Sequence, residues 1–294
     1  MKKIICLFLL PIIAATGCTE DITSTISSEL ATSYQRLVVD GSISTDTMAH
    51  RVHLALSSGY FYNKPLEPVT KADVSISDGT NVFNLTEDPL NPGDYLTQPN
   101  VYGVPGRTYT LTIKNVDVDK NGQTEEYSAS SKLYPISKID SIAVKVVKKF
   151  YKYRYEVRIW TQDPADITNY YAFKVKRNNI LLTDTLSEVT FTNDEFFNGS
   201  YVTDQNVYHI VPTKTDERLK LNDVITLESC GITKDYATYL NDIELASHGA
   251  DPFGGQPANV STNLSDKKRA IGFFVAYSIT RNVTTVKDTV PTVD

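Results

Sequence analysis

Asp117, Asp119, Asn121 and Gly122, in the run DVDKNGQTEE, occupy positions 1, 3, 5 and 6 of a calcium-binding loop. Carboxylate and amide oxygens at those positions, with a glycine for the sharp turn, would wrap a hard cation. Position 12 needs a bidentate glutamate and is Ser128. The flanks alternate as strands do, so an Asn-Gly hairpin accounts for the same residues without a metal, and that reading is favoured. His50 and His53 are three apart, which on a strand points them to opposite faces and away from a common ion. The sequence therefore calls for no metal and no cofactor. It contains neither a Gly-x-Ser-x-Gly elbow nor a His-Glu-x-x-His helix. Two carboxylates set for glycoside cleavage would leave no mark on sequence spacing, so a hydrolase stays open behind the non-enzymatic readings.

Aromatic residues carry more information. Tyr60, Phe61 and Tyr62 stand side by side in SGYFYNKP, and Phe196 with Phe197 in DEFFNGSY. Consecutive rings on a strand cannot all face one core. At least one of each cluster is then free to stack on a sugar or anchor a protein interface, unless the loop folds back over its own rings. The irregular stretch 249–265, with Phe253, is a third candidate surface, since long fixed loops are often functional.

The elements that would position these residues begin after a leader. Lys2 and Lys3 precede an apolar run from Ile4 to Ala15, followed by small residues, the order of a secretory signal. That run is too short to span a bilayer core of about 30 Å. Ala15-Thr16-Gly17-Cys18 resembles the lipobox of bacterial lipoproteins, with Ala15 where leucine is usual. The resemblance implies cleavage after residue 17 and acylation of Cys18, which would attach the chain to a membrane. An ordinary signal leaving a free cysteine is the alternative. Glu20 and Asp21 resemble the surface-export signal of Bacteroidetes lipoproteins, which implies the outer membrane and its external face.

Removing residues 1–17 takes away two lysines and no acids, which moves the formal charge from −6 to −8. An acidic chain does not suit nucleic acid, where phosphates must be neutralised. Of three cysteines, Cys6 leaves with the leader and Cys18 is assigned to the anchor, so Cys230 has no disulfide partner and is expected to be buried.

Length suggests two domains. Residues 18–33 read as a polar Ser/Thr-rich tether. From 34 to 134 the pattern has period two, as in Tyr109, Leu111 and Ile113, and turn pairs such as Asp78-Gly79 and Pro105-Gly106 divide it. An antiparallel β-sandwich is expected there. Residues 135–294 form a second β domain after Pro135, with strands near 205–212 and 219–229 and one helix near 234–248, capped by Thr233 with Tyr236, Leu240 and Ile243 on one face. The fold class is thus mainly β, two antiparallel sandwich-like domains, the second with one α-helix.

The turns NPGDYLT and GVPGRTYTLTI are similar to those of the transthyretin-like or carboxypeptidase-regulatory-like sandwiches. Taken together, YPISKIDSI, LKLNDVITLES, the tyrosine-bearing helix and DPFGGQPANVSTNLSDKKRAIGFFVAYS resemble the Bacteroidetes surface lipoproteins of the domain of unknown function 4249. Asn222-Asp223 stands where a Gly-Asp turn is usual in that family. The resemblance implies an outer-membrane setting, frequent neighbourhood with TonB-dependent transporters, and no established activity. The leading expectation is a non-enzymatic accessory or ligand-capture partner of such a transporter, holding a glycan or peptide. The alternatives are a stand-alone glycan-binding or adhesive module and an extracellular hydrolase.

If Cys18 carries the anchor, labelled fatty acid enters the wild-type protein, while Cys18→Ala is unlabelled and released from membranes; equal labelling of the two rejects it.

Overall fold

The computed structural model describes residues 35–57, 65–149, 152–165, 167–210, 218–247 and 260–289. The leader, Cys18, the tether, Tyr60, Phe61, Tyr62 and Phe253 lie outside the described residues. The first half contains β1 (Leu37–Ser44), β2 (Arg51–Leu56), β3 (Glu67–Pro68), β4 (Asp73–Ser77), β5 (Val82–Asn84), β6 (Thr86–Glu87), β7 (Asp94–Leu96), β8 (Thr108–Val116) and β9 (Glu125–Lys132). Beyond the Pro135 connector come β10 (Ile139–Lys149), β11 (Lys152–Gln162), β12 (Tyr170–Arg177), β13 (Ile180–Leu181), β14 (Thr190–Asn193), β15 (Tyr201–Ile210), β16 (Val224–Ile232), helix α1 (Lys234–Ser247) and β17 (Ala270–Thr285). The fold is mainly β, with several antiparallel sheets in a sandwich-like arrangement and, among the described residues, one α-helix.

Period two does the building. Tyr109, Leu111 and Ile113 of β8 are fully buried, while Thr108 and Lys114 face out. In the sheet ordered β5-β4-β8-β9 they meet Leu37, Val39, Val52 and Leu54 of β1 and β2 in one core. A second core lies between the sheet β10-β11-β15 and strands β12 and β16, filled by Tyr155, Val157, Phe173, Ile210 and Leu227. Each such side chain contributes about 1.5–3 kcal/mol on burial.

One strand joins the halves. Residues 270–277 of β17 pair in parallel with β1, and residues 278–285 pair antiparallel with β16. A ten-stranded sheet therefore runs across the 134/135 division. The first core takes Leu264, Ala270, Phe274 and Ala276 from the far end of the chain.

Helix α1 covers the opposite face of this sheet. Thr233 Oγ1 accepts the Tyr236 amide at 3.2 Å, so the cap is as expected. Leu240 is buried, but Ala237 and Tyr239 are the other buried members, and Tyr236 and Ile243 are only partly covered. Residues 219–223, expected as strand, form a turn: the Asp223 amide donates to Lys220 O at 3.1 Å, and Asn222 has φ 67°. That left-handed conformation explains why glycine would serve there and why asparagine is tolerated.

Gly272 sits at φ +96°, and a Cβ placed on it would lie 2.0 Å from Val39 O. Gly272→Ala is expected to destabilise the protein by at least about 2 kcal/mol, combining backbone strain with overpacking. Gly79, at φ +86° with open space around it, supplies the comparison: Gly79→Ala meets the conformational penalty alone, about 1 kcal/mol. Denaturant midpoints of both variants check the contrast.

Candidate functional site

At one end of the second sandwich the two sheets part, leaving a cleft of about 410 Å³. Tyr171 and Phe173 of β12 and Phe191 of β14 line one wall, and Ile159 of β11 and Val202 of β15 line the other. Phe196 and Phe197 stand at it too. The structure therefore brings this aromatic pair to a concave apolar surface of ordinary ligand-site size.

The loop that carries them is pinned at both ends. Asp194 is fully buried: its carboxylate accepts the Asn169 amide at 2.8 Å, and its carbonyl accepts the Phe197 amide at 2.8 Å. Asp163, 3% exposed, accepts the Gly199 amide at 2.9 Å and the Tyr171 hydroxyl at 2.5 Å. Its own amide donates to Ser200 O at 3.0 Å. Gly199, at φ +73°, packs where a Cβ would meet Ala165 Cβ at 3.1 Å. Burial, and then the acceptor Asp163, raise the Tyr171 phenol well above its ordinary range, so it stays a donor. The outcome is an ordered loop on which Phe197 is half-buried and Phe196 is 91% exposed.

Nothing in the sequence marks Asp163, Tyr171 or Phe191 as site residues. Tyr171 and Phe173 alternate and read as core, and nothing in spacing ties Asp163 to a loop more than thirty residues on.

The other sequence candidates have settled partners. Asp117 accepts the Asn121 and Gly122 amides at 3.0 and 2.7 Å, a turn closed by its own side chain, and Asp119 reaches Arg269 at 2.5 Å. The ring of His50, 3% exposed, lies 3.2 Å from Val101 O, and burial lowers its pKa. His53 contacts Asp94 at 2.6 Å, so the two imidazoles serve different neighbours. Cys230 is buried and unbridged, its thiol pushed up to about 11 by burial. The described part of the 249–265 stretch holds the fold together. Ser261 hydroxyl and amide donate to Asp242 of α1, and Asn263 both donates to Phe274 O at 2.8 Å and accepts the Phe274 amide at 3.1 Å. Leu264 bridges to Ala129.

The model of a family described as a domain of unknown function, DUF4249, matches residues 19–282. The chain belongs to the DUF4249 family. The segment that most marks the resemblance, ANVSTN, thus ends on the Ser261 and Asn263 bonds that lock helix to sheet. No curated protein matches this DUF4249 chain. Among the described residues no helix is long and apolar enough to cross a membrane.

Phe196→Ala is expected to leave the melting temperature unchanged, because an exposed ring contributes little to folding. Asp163→Ala leaves the buried Tyr171 hydroxyl and Gly199 amide without their acceptor and should lower stability by about 2–3 kcal/mol. Hydrogen exchange at Gly199 should accelerate in the second variant and not in the first.

Proposed function

We propose that this protein is a non-enzymatic lipoprotein of the outer-membrane surface. In this reading it works as an accessory or ligand-capture partner of a TonB-dependent transporter, with the aromatic cleft as its contact site. One observation carries the reading: Phe196 is 91% exposed on a loop that two buried aspartates hold in place. A chain gains nothing for folding by fixing an apolar ring in water, whereas a fixed ring lowers the entropy lost when a partner covers it. The depleted charge and aromatic content of the cleft suit the centre of an interface. An acyl anchor on Cys18 would hold the protein in the same membrane as the transporter, so a modest contact would give a lasting complex by effective concentration.

The carboxylates nearest the cleft support a binding role. Asp163, which lines the cleft, and Asp194 each accept a backbone amide and are at most 3% exposed, whereas a glycosidase pair keeps both carboxylates free for its substrate. A stand-alone glycan-binding module is the second reading, favoured by the same exposed ring, which would stack on a sugar face.

Purification from native membranes should recover a transporter with the wild-type protein. Phe196→Ala or Phe197→Ala, and Tyr62→Ala or Phe253→Ala from the other two aromatic loops, are each to be tested. At least one should reduce co-purification about thirtyfold or more, as loss of an interface anchor of about 2 kcal/mol does. Recovery of no transporter together with clear glycan-array binding would replace the first reading by the second.

A further inference from the structure

On the helix side of the ten-stranded sheet a second pocket of about 280 Å³ lies between α1, the 181–189 segment and strands β1, β12 and β17. Part of its lining is aromatic and much of the rest is polar. The ring of Phe273 lies 5.2 Å from that of Tyr236 and 5.1 Å from that of Tyr239, and Tyr277 is the fourth aromatic residue of the lining. No described residue hydrogen-bonds the phenol of Tyr236 or of Tyr239, although both residues line the space.

Lys174 is the cation of this pocket. Strand register puts it directly opposite Glu228, the obvious counter-ion. Glu228, however, already receives Lys176 Nζ and Arg281 Nε, each at 2.7 Å. Lys174 makes no ion pair with it and has its Nζ 5.1 Å from the centre of the Tyr277 ring, whose hydroxyl is its hydrogen-bond neighbour. Among the described residues no carboxylate comes within 4.0 Å of it. The other cation of the pocket, Arg51, is held by Asp40 at 2.7 Å and Asp94 at 3.2 Å. Burial by itself would lower the Lys174 pKa, but Tyr277, Cys230 and Glu228 outweigh it and leave it raised, so the ammonium is protonated at neutral pH.

We infer that this pocket binds a sugar acid: a hydroxylated ring bearing one carboxylate. The carboxylate would meet Lys174, whose charge no protein group balances at contact distance. The ring would lie against the aromatic walls, and its hydroxyls would satisfy the two free phenols. Lys174 is the lining cation without an ion-pair partner among the described residues, and a monoanion asks less of it than a dianion does. A phosphate dianion would also have to face Asp40 and Asp184 among the lining residues. The inference stands apart from the transporter reading, since the cleft lies on the other face of the sheet.

Titration calorimetry with glucuronate, galacturonate and glucose tests it on the intact mature protein. A hexuronate should bind the wild type, and glucose about tenfold more weakly or not at all, because the charge-assisted contact is missing. Lys174→Met keeps the stem against Tyr277 and should weaken hexuronate binding about tenfold or more. Tyr239→Phe keeps the ring and should lose a smaller factor. Absence of hexuronate binding at millimolar concentration, equal binding of glucose, or undiminished binding by a folded Lys174→Met each overturns the proposal. The glucose comparison needs no variant, so a misfolded mutant cannot blur the result.

Discussion

The structure depends on β17 serving two partners in succession. A strand of 16 residues pairs in parallel with β1 over its first half and antiparallel with β16 over its second. Its side chains must then alternate correctly against different neighbours on both faces. Phe274 and Ala276 enter the first sandwich core, and Phe273 and Val275 turn to the helix. Gly272 permits the close passage at Val39 that a side chain would block. Because the ladders to β1 and β16 form on one continuous backbone, neither half can shift without straining the other. The connection also closes late: β1 waits for residues more than 200 positions further on, which raises contact order and makes slow folding the natural consequence.

Charge on the helix side of the sheet follows the same geometry. Glu228 is buried between Lys176 and Arg281, and Arg281 in turn grips Asp46. Burial would raise the Glu228 pKa, and the two cations reverse that, holding it below the ordinary carboxylate range. A buried ion pair seldom adds much net stability, because desolvation offsets the attraction, yet removing one member is expensive. Here the cluster fixes which lysine is paired. With Glu228 taken by Lys176 and Arg281, Lys174 is left without an ion-pair partner at the pocket. Polar specificity at one register position has thereby created an electrostatic feature at the next.

What could be read from the sequence followed the range of each interaction. Strand alternation in Tyr109, Leu111 and Ile113 is set by neighbours two residues apart and was legible. The Thr233 cap and the position of α1 were legible for the same reason. Which helix face would be buried was only half visible: Leu240 was, but Tyr239 displaced Ile243 because Phe273 lies where its ring can meet it. The run 219–229 alternates convincingly, yet its first residues turn, since Asp223 closes on Lys220 and propensity does not reveal such a bond. Pairing of β1 with β17 carried no local signal. Of the cleft, Phe196 and Phe197 stood out as adjacent rings, whereas the Asp163 and Asp194 supports are ordinary acids until folding brings the loop to them.

The two pockets are products of a single strand. Tyr171 and Phe173 of β12 line the cleft, and Lys174, the next residue, lines the pocket beneath α1. Period two allows no other arrangement: consecutive residues must face opposite sides of the sheet. β12 is paired along its length with β16 and flanked by β14 and β13 on its other edge, so both of its hydrogen-bonding edges are in use. Its side chains are therefore presented from a backbone with little freedom to yield, which is the condition for preorganised contacts on either face. Movement at one site would have to pass through that ladder to reach the other. The more economical physical description is two independently rigid surfaces set back to back, one apolar and aromatic, the other part aromatic with one lysine that has no ion-pair partner.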